Sequence, residues 1–140
     1  MHDLVYQSNL NEEKYKLTNK QRKQLQHEIK IYVEKYFKSK LGNAADYCKV
    51  IIWNDLLVIR AEKLLTQVEK YIIQTQTQTP TGCDRVKEVR MQVAKQHSID
   101  NLTYFEEKLG AKCIHLSYDV NPSEDFWVQV MVFDHVLIDL

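Results

Sequence analysis

The sequence predicts an α+β fold: two β-hairpins joined into one antiparallel four-stranded sheet, with helices packed on one face, in the order α-ββ-αα-ββ. Three observations carry this. The densest apolar run, YCKVIIWNDLLVIRA from Tyr47 to Ala61, has a turn signal at Asn54-Asp55 in its middle, as a hairpin with a two-residue loop requires. A second pair of strand-like runs, 111–118 and 126–134, flanks the turn-forming stretch DVNPSED, whose residues favour chain reversal. The segments before and between these pairs place apolar residues at helical spacing behind Thr caps. Each hairpin alone is marginal, so pairing both into one sheet under a helical layer is the economical solution.

Residues 1–17 hold Leu4, Val5, Tyr6 and Tyr15 without a regular face and read as a loosely attached extension. A single domain is expected over 18–134, followed by a tail, 135–140, that either docks or extends the last strand. The first helix opens with Thr18 and Gln21 in a capping box. Its apolar stripe is Leu25, Ile29, Val33 and Phe37, and Gly42 suits the left-handed position that ends it. Its other face, with Lys20, Lys23, Lys30, Lys35 and Lys38 among Glu28 and Glu34, reads as solvated.

In the first hairpin Trp53 faces Leu56, Ile51 faces Val58 and Lys49 faces Arg60. Cys48, Val50, Ile52, Leu57, Ile59 and Ala61 then form a face with no polar side chain, which must lie against the core. Thr66 and Glu69 repeat the capping box and start a short helix with Val68, Tyr71 and Ile72 expected inward. The low-complexity stretch Gln74–Pro80 (QTQTQTP) predicts an exposed connection. Thr81 or Asp84 caps the next helical stretch, with Val86, Val89, Val93 and His97 on one face. Ser98 and Asp100 offer a fresh cap before Ile99, Leu102, Phe105 and Leu109, leaving open one bent helix or two. Gly110 releases the chain into a strand in which Ile114, Leu116 and Tyr118 alternate with Cys113, His115 and Ser117. Residues 119–125 form the turn, and 126–134 the last strand. Trp53, Trp127, Met131 and Phe133 are expected on the sheet face away from the helices. A face so apolar would need covering, and a homodimer is expected to cover it.

At 140 residues, one domain suffices and buries roughly 68–70% of the surface of its unfolded chain. Apolar and charged contents of 44% and 27% are ordinary for a globular protein and exclude wholesale disorder. No apolar run reaches the roughly 18–20 residues of a membrane span and no signal peptide is evident, so a cytoplasmic location is expected. Cys48, Cys83 and Cys113, odd in number and far apart, fit reduced thiols. The formal net charge of zero argues against nucleic-acid binding, although the distribution is uneven. Residues 1–42 carry nine Lys/Arg against five Asp/Glu, and residues 98–140 two against eight. Such polarity fits two ends of a fold, or of two subunits, that attract each other.

The sequence is poor in catalytic constellations. The cysteines and histidines show no CxxC or HExxH spacing, so neither a metal site nor a cofactor is expected. Cys113 and His115, two apart on a strand, would share a face with Asp119 nearby, a thiol–imidazole arrangement; no oxyanion donor or glycine-rich loop accompanies it. His115 is more simply a partly buried member of a polar stripe, and the expectation leans away from an enzyme. Arg85 and Arg90, with Lys87, could hold an anion from the start of the long helix, but no phosphate-cradling loop is present. Pairing with Glu88 or with the acidic last third is the plainer reading.

The run LGNAADYCKVIIWNDLLVIRAEKLLTQVEK, the following helix with RVKEVR, and LGAKCIHLSYDVNPSEDFWVQVMVF together resemble the bacterial MpsC-like family over about residues 18–134. Leu65-Thr66 with Glu69, Arg90, Gly110, and Ser117 with Asp119 carry the resemblance most strongly. Where that family tends to place a Gly-Lys-Gly-Pro turn after its first helix, this chain has Gly42-Asn43-Ala44-Ala45. The resemblance implies a small cytosolic protein linked to a sodium-translocating, membrane-potential-generating system that also bears on inorganic carbon uptake. It brings no catalytic residues with it. The expected function is therefore a non-catalytic accessory or regulatory protein that contacts a membrane transporter subunit. The alternative is a small-molecule or anion sensor with Arg85 and Arg90 in a pocket between sheet and helices.

Overall fold

The computed structural model describes residues 16–42 and 47–138. Among them, helix α1 spans Asn19–Leu41, strand β1 Tyr47–Trp53, β2 Leu56–Glu62, helix α2 Gln67–Thr75, α3 Gly82–Leu109, β3 Cys113–Asn121 and β4 Phe126–Phe133. The sheet is antiparallel throughout in the order β1-β2-β4-β3, so the two hairpins join through β2 and β4. The α-ββ-αα-ββ order stands as read from the sequence.

Each helix begins with the same device. Thr18, Thr66 and Thr81 accept from the backbone three residues on, and the side chains of Gln21, Glu69 and Asp84 return the bond to the cap residue. Two orphan donors are thereby satisfied at each start. Gly42 and Gly110 close α1 and α3 at φ of 71° and 63°, a left-handed conformation that glycine adopts without penalty. The first hairpin has the expected register, with Trp53 opposite Leu56, Ile51 opposite Val58 and Lys49 opposite Arg60. Asn54 takes φ 56° in its turn.

One contiguous core lies between the helices and the inner sheet face. Leu25, Ile29, Val33 and Phe37 of α1 meet Val50, Ile52, Leu57 and Ile59 of the first hairpin, with Ala94, Phe105 and Leu109 of α3 and Trp127, Met131 and Phe133 of β4. Each such large side chain contributes roughly 1.5–3 kcal/mol by leaving water. The tail docks: Leu17 and Leu137 join by a backbone bond of 2.7 Å, Leu137 N–H donates to Asn54 at 2.8 Å, and Leu137 and Ile138 are buried in the same core. Residues 1–15 of the expected extension, the Asn43-Ala44-Ala45 turn and residues 139–140 lie outside the described residues.

Four expectations need correction, and the open choice between one helix and two over 84–109 is resolved. Trp127, Met131 and Phe133 are buried on the helix-covered face, because pairing with β2 sets Trp127 opposite Ala61 and Met131 opposite Leu57. The outward residues of β4 are Phe126, Val128, Val130 and Val132. In α2, Val68 and Tyr71 are exposed; Glu69, Ile72 and Ile73 are the partly buried face, because α2 packs on α3 and must present Glu69 to Arg90. Segment 82–109 is a single helix, with Ser98 donating to the Ala94 carbonyl at 2.9 Å inside it. Its buried stripe is Val86, Arg90, Ala94, His97, Asn101, Phe105 and Leu109, while Val89 and Ile99 are exposed. Finally, β3 continues through Asp119 and Val120 to Asn121, leaving a shorter turn in which Asp125 has φ 53°.

Candidate functional site

The chain leaves β2 through Lys63 at φ 62°, which turns Leu64 and Leu65 down into the protein. Their backbone N–H groups would be stranded there. Asp125, in the turn between β3 and β4, accepts both, at 2.9 and 3.2 Å through Oδ1. Thr66 follows as the cap of α2, so Glu69 stands where its carboxylate accepts from Thr66 N and Oγ1, each at 2.9 Å. Arg90 reaches the same carboxylate from α3. Its Nε donates to Oε2 at 2.7 Å and its Nη2 to Oε1 at 2.5 Å, while Nη2 also donates to the Leu64 carbonyl at 2.9 Å. Leu65-Thr66, Glu69 and Arg90, scattered in the sequence, thus converge on one bidentate ion pair, with Asp125 binding the same Leu64-Leu65 segment.

The electrostatics follow from burial. Arg90 is only 3% exposed. Burial alone would push the Glu69 carboxyl up, but the Arg90 and Thr66 hydrogen bonds outweigh it and hold the group below its usual range. Glu69 is therefore a carboxylate near neutral pH, and the guanidinium beside it is neutralised in place. Removing one partner of such a pair costs about 3–5 kcal/mol, because the other charge stays buried. Arg90 Nη1 and Trp127 Nε1 are buried donors without a protein acceptor. Both residues line a narrow cleft with Leu64, Leu65, Val120, Pro122 and Asp125, whose size suits a single water.

Arg85 lies elsewhere. It is exposed in the first turn of α3 and lines an open polar hollow formed by Thr75–Pro80, so it and Arg90 do not converge. Lys87 pairs with Asp119 of the acidic last third at 3.2 Å. Cys113 and His115 do not share a face. A bulge between them sets Cys113 opposite Phe133 but His115 opposite Val132, and adjacent β4 residues point to opposite sides. Cys113 packs against the core, where burial pushes its thiol up, away from a nucleophilic thiolate. His115 is exposed, not partly buried as expected.

A second polar group sits deeper in the core, around the His97 that the sequence set on an inward face but whose partners it did not show. His97 is fully buried among Tyr36, Phe37, Phe105 and Trp127. Asn101 Nδ2 lies 2.8 Å from its Nδ1, and Tyr32 donates to Asn101 Oδ1 at 2.5 Å. Its i,i+4 spacing with Asn101 was the available signal; nothing in the sequence linked Tyr32 to them. No cluster of three His, Cys, Asp or Glu suited to a metal occurs among the described residues.

The outer face of the sheet is the remaining candidate. No described helix covers it, yet Ile51, Trp53, Leu56, Val58, Val128, Val130 and Val132 point there, and Trp53 is 58% exposed.

The chain was compared with known proteins. A family model described as the Na+-translocating membrane potential-generating system (MpsC) matches residues 21–135. No curated protein and no solved structure matches. The matched segment runs from the first turn of α1 past the end of β4 and includes the Thr66–Glu69–Arg90 network, so the chain belongs to the MpsC family.

Proposed function

We propose that the protein is a non-catalytic accessory or regulatory component of a membrane-bound, sodium-translocating, membrane-potential-generating system related to inorganic carbon uptake. The family match over residues 21–135 carries this reading. The side chains support it: the Arg90 guanidinium is consumed by Glu69, and Cys113 and His115 stand on opposite sides of the sheet. No helix among the described residues is long and apolar enough to cross a membrane; in this reading the protein meets the system through protein contact, from the cytoplasm. Capture of the tagged protein from detergent-solubilised membranes tests this. Ion-transport subunits should co-purify, and deletion of the gene should lower the membrane potential in sodium-containing medium. A protein that retains no membrane subunit and whose loss leaves the potential unchanged would refute the reading.

A second reading, an anion sensor, is favoured by one observation, the hollow in which Arg85 faces the Thr and Gln side of Thr75–Pro80. Bicarbonate or phosphate at 100 times its dissociation constant would stabilise the fold by about 2.7 kcal/mol, and Arg85→Ala would abolish that shift.

A further inference from the structure

The outer sheet face has an order that neither its apolar content nor the family explains. Outward residues fall into four rows across the strand order β1-β2-β4-β3. The first is Trp53, Leu56, Val132 and His115; the second Ile51, Val58, Val130 and Ser117; the third Lys49, Arg60, Val128 and Asp119; the fourth Tyr47, Glu62, Phe126 and Asn121. The middle strands are apolar except for Arg60 and Glu62, which pair with each other at 2.8 Å. The charges without such a partner in the grid stand at the two edges of one row. Lys49 is on β1, and Asp119, held at 3.2 Å by Lys87 but still largely exposed, is on β3.

We infer that this face binds a second copy of the chain, through a two-fold axis running parallel to the strands between β2 and β4. A two-fold axis lying in a face-to-face interface can run along the strands or across them. Along the strands, it lays β1 over the partner's β3 and β2 over the partner's β4, and each row meets itself. Lys49 then faces Asp119 of the partner, twice by symmetry, while Leu56 meets Val132 and Val58 meets Val130 at the centre. Across the strands, Lys49 would land on Ile51 and Asp119 on Ser117, so neither edge charge meets an opposite charge; Arg60, already paired with Glu62, meets a valine in either arrangement. Only the first arrangement gives both edge charges an opposite partner. Isologous pairing of this kind needs one patch that carries both halves of each contact, and the same-row placement of Lys49 and Asp119 provides it. Aligned packing of twisted sheets, about 30° apart, tolerates the arrangement.

The area suffices. Four strands about 4.8 Å apart and seven residues at about 3.4 Å each present a flat face of roughly 450 Å². Two such faces bring together roughly 900 Å², and side-chain corrugation takes the accessible area past the roughly 1,000 Å² of a specific interface. This inference does not depend on the role in ion translocation.

Sedimentation equilibrium of the full chain at micromolar concentration should give twice 16.6 kDa. Lys49→Asp sets like charges against Asp119 at two symmetric points, and so does Asp119→Lys against Lys49. Each should weaken the dimer roughly ten- to thirtyfold, and the double variant K49D/D119K should recover most of that loss. Val130→Asp at the centre should leave a monomer that still melts cooperatively. A parent mass near 16.6 kDa would overturn the inference and leave the face to a different protein. So would a dimer indifferent to V130D, which must use another surface. Single charge variants that weaken the dimer without rescue in the double would overturn the strand-parallel axis.

Discussion

His97 shows how a residue that looks chemically active is committed to structure. Burial among Tyr36, Phe37, Phe105 and Trp127 pushes its pKa down to about 4, because the imidazolium would lose its hydration there. The nearest acid, Asp100, is exposed and engaged by Gln96 and Tyr36, so it rescues little of that loss. The direction of the pH effect follows. Above about 6.5 the ring is neutral in both the folded and unfolded states, and stability is at its full value. As pH falls from 6.5 towards 4, the unfolded chain takes up a proton that the folded chain refuses, and stability is lost by about 3 kcal/mol. Urea titrations at pH 7, 5.5 and 4.5 should trace that decline. His97→Gln, neutral at every pH, should flatten it even though the variant is less stable throughout. An unchanged slope in the variant would place the pH response elsewhere.

At the scale of elements, the approach of α2 to α3 depends on one missing methyl group. A Cβ on Gly82 would lie 2.2 Å from the Ile72 carbonyl oxygen, which is backbone and cannot rotate away. Gly82→Ala should therefore force the two helices apart and cost about 1–3 kcal/mol, with the loss concentrated where Arg90 meets Glu69. Hydrogen exchange should show α2 amides losing protection while those of α1 are unaffected; uniform loss would contradict it. The sequence made the helix starts legible, since a Thr with an acid or amide three residues later fixes a cap by local geometry alone. It also made the first hairpin legible, where polar and apolar sides differ. It could not show which face α3 buries, because that stripe includes Arg90, His97 and Asn101 while Val89 and Ile99 are left outside. Nor could alternation orient β4, FWVQVMVF, which is apolar on both sides and buries Gln129. The bulge between Cys113 and His115 has no local signature, so their separation depended on the partner strand. The Arg90–Glu69 pair joins residues 21 apart, a distance over which sequence carries no register.

For the whole molecule, the sheet divides the protein into a face that holds the fold and a face left open by the described helices. Neighbours in one strand should behave oppositely. Ile59 is 1% exposed beneath α1 and α3, whereas Val58 points to the outer side. Ile59→Asp would bury a carboxylate without a partner, and its cost, together with the lost packing, is comparable with the roughly 5–15 kcal/mol that stabilises a whole domain. The variant should lack a cooperative melt by circular dichroism, and Ile52→Asp should match it. Val58→Asp, with water within reach, should still melt cooperatively at concentrations where it is monomeric. Lys38→Asp tests the helical layer from outside. Lys38 is exposed in the last turn of α1, where a cation complements the helix dipole, so reversing its charge should cost less than about 1 kcal/mol. If Ile59→Asp melted within a few degrees of the parent, the helices would not cover the face that Val50, Ile52, Leu57 and Ile59 share. The outer face would then lose its standing as the one that association has to cover.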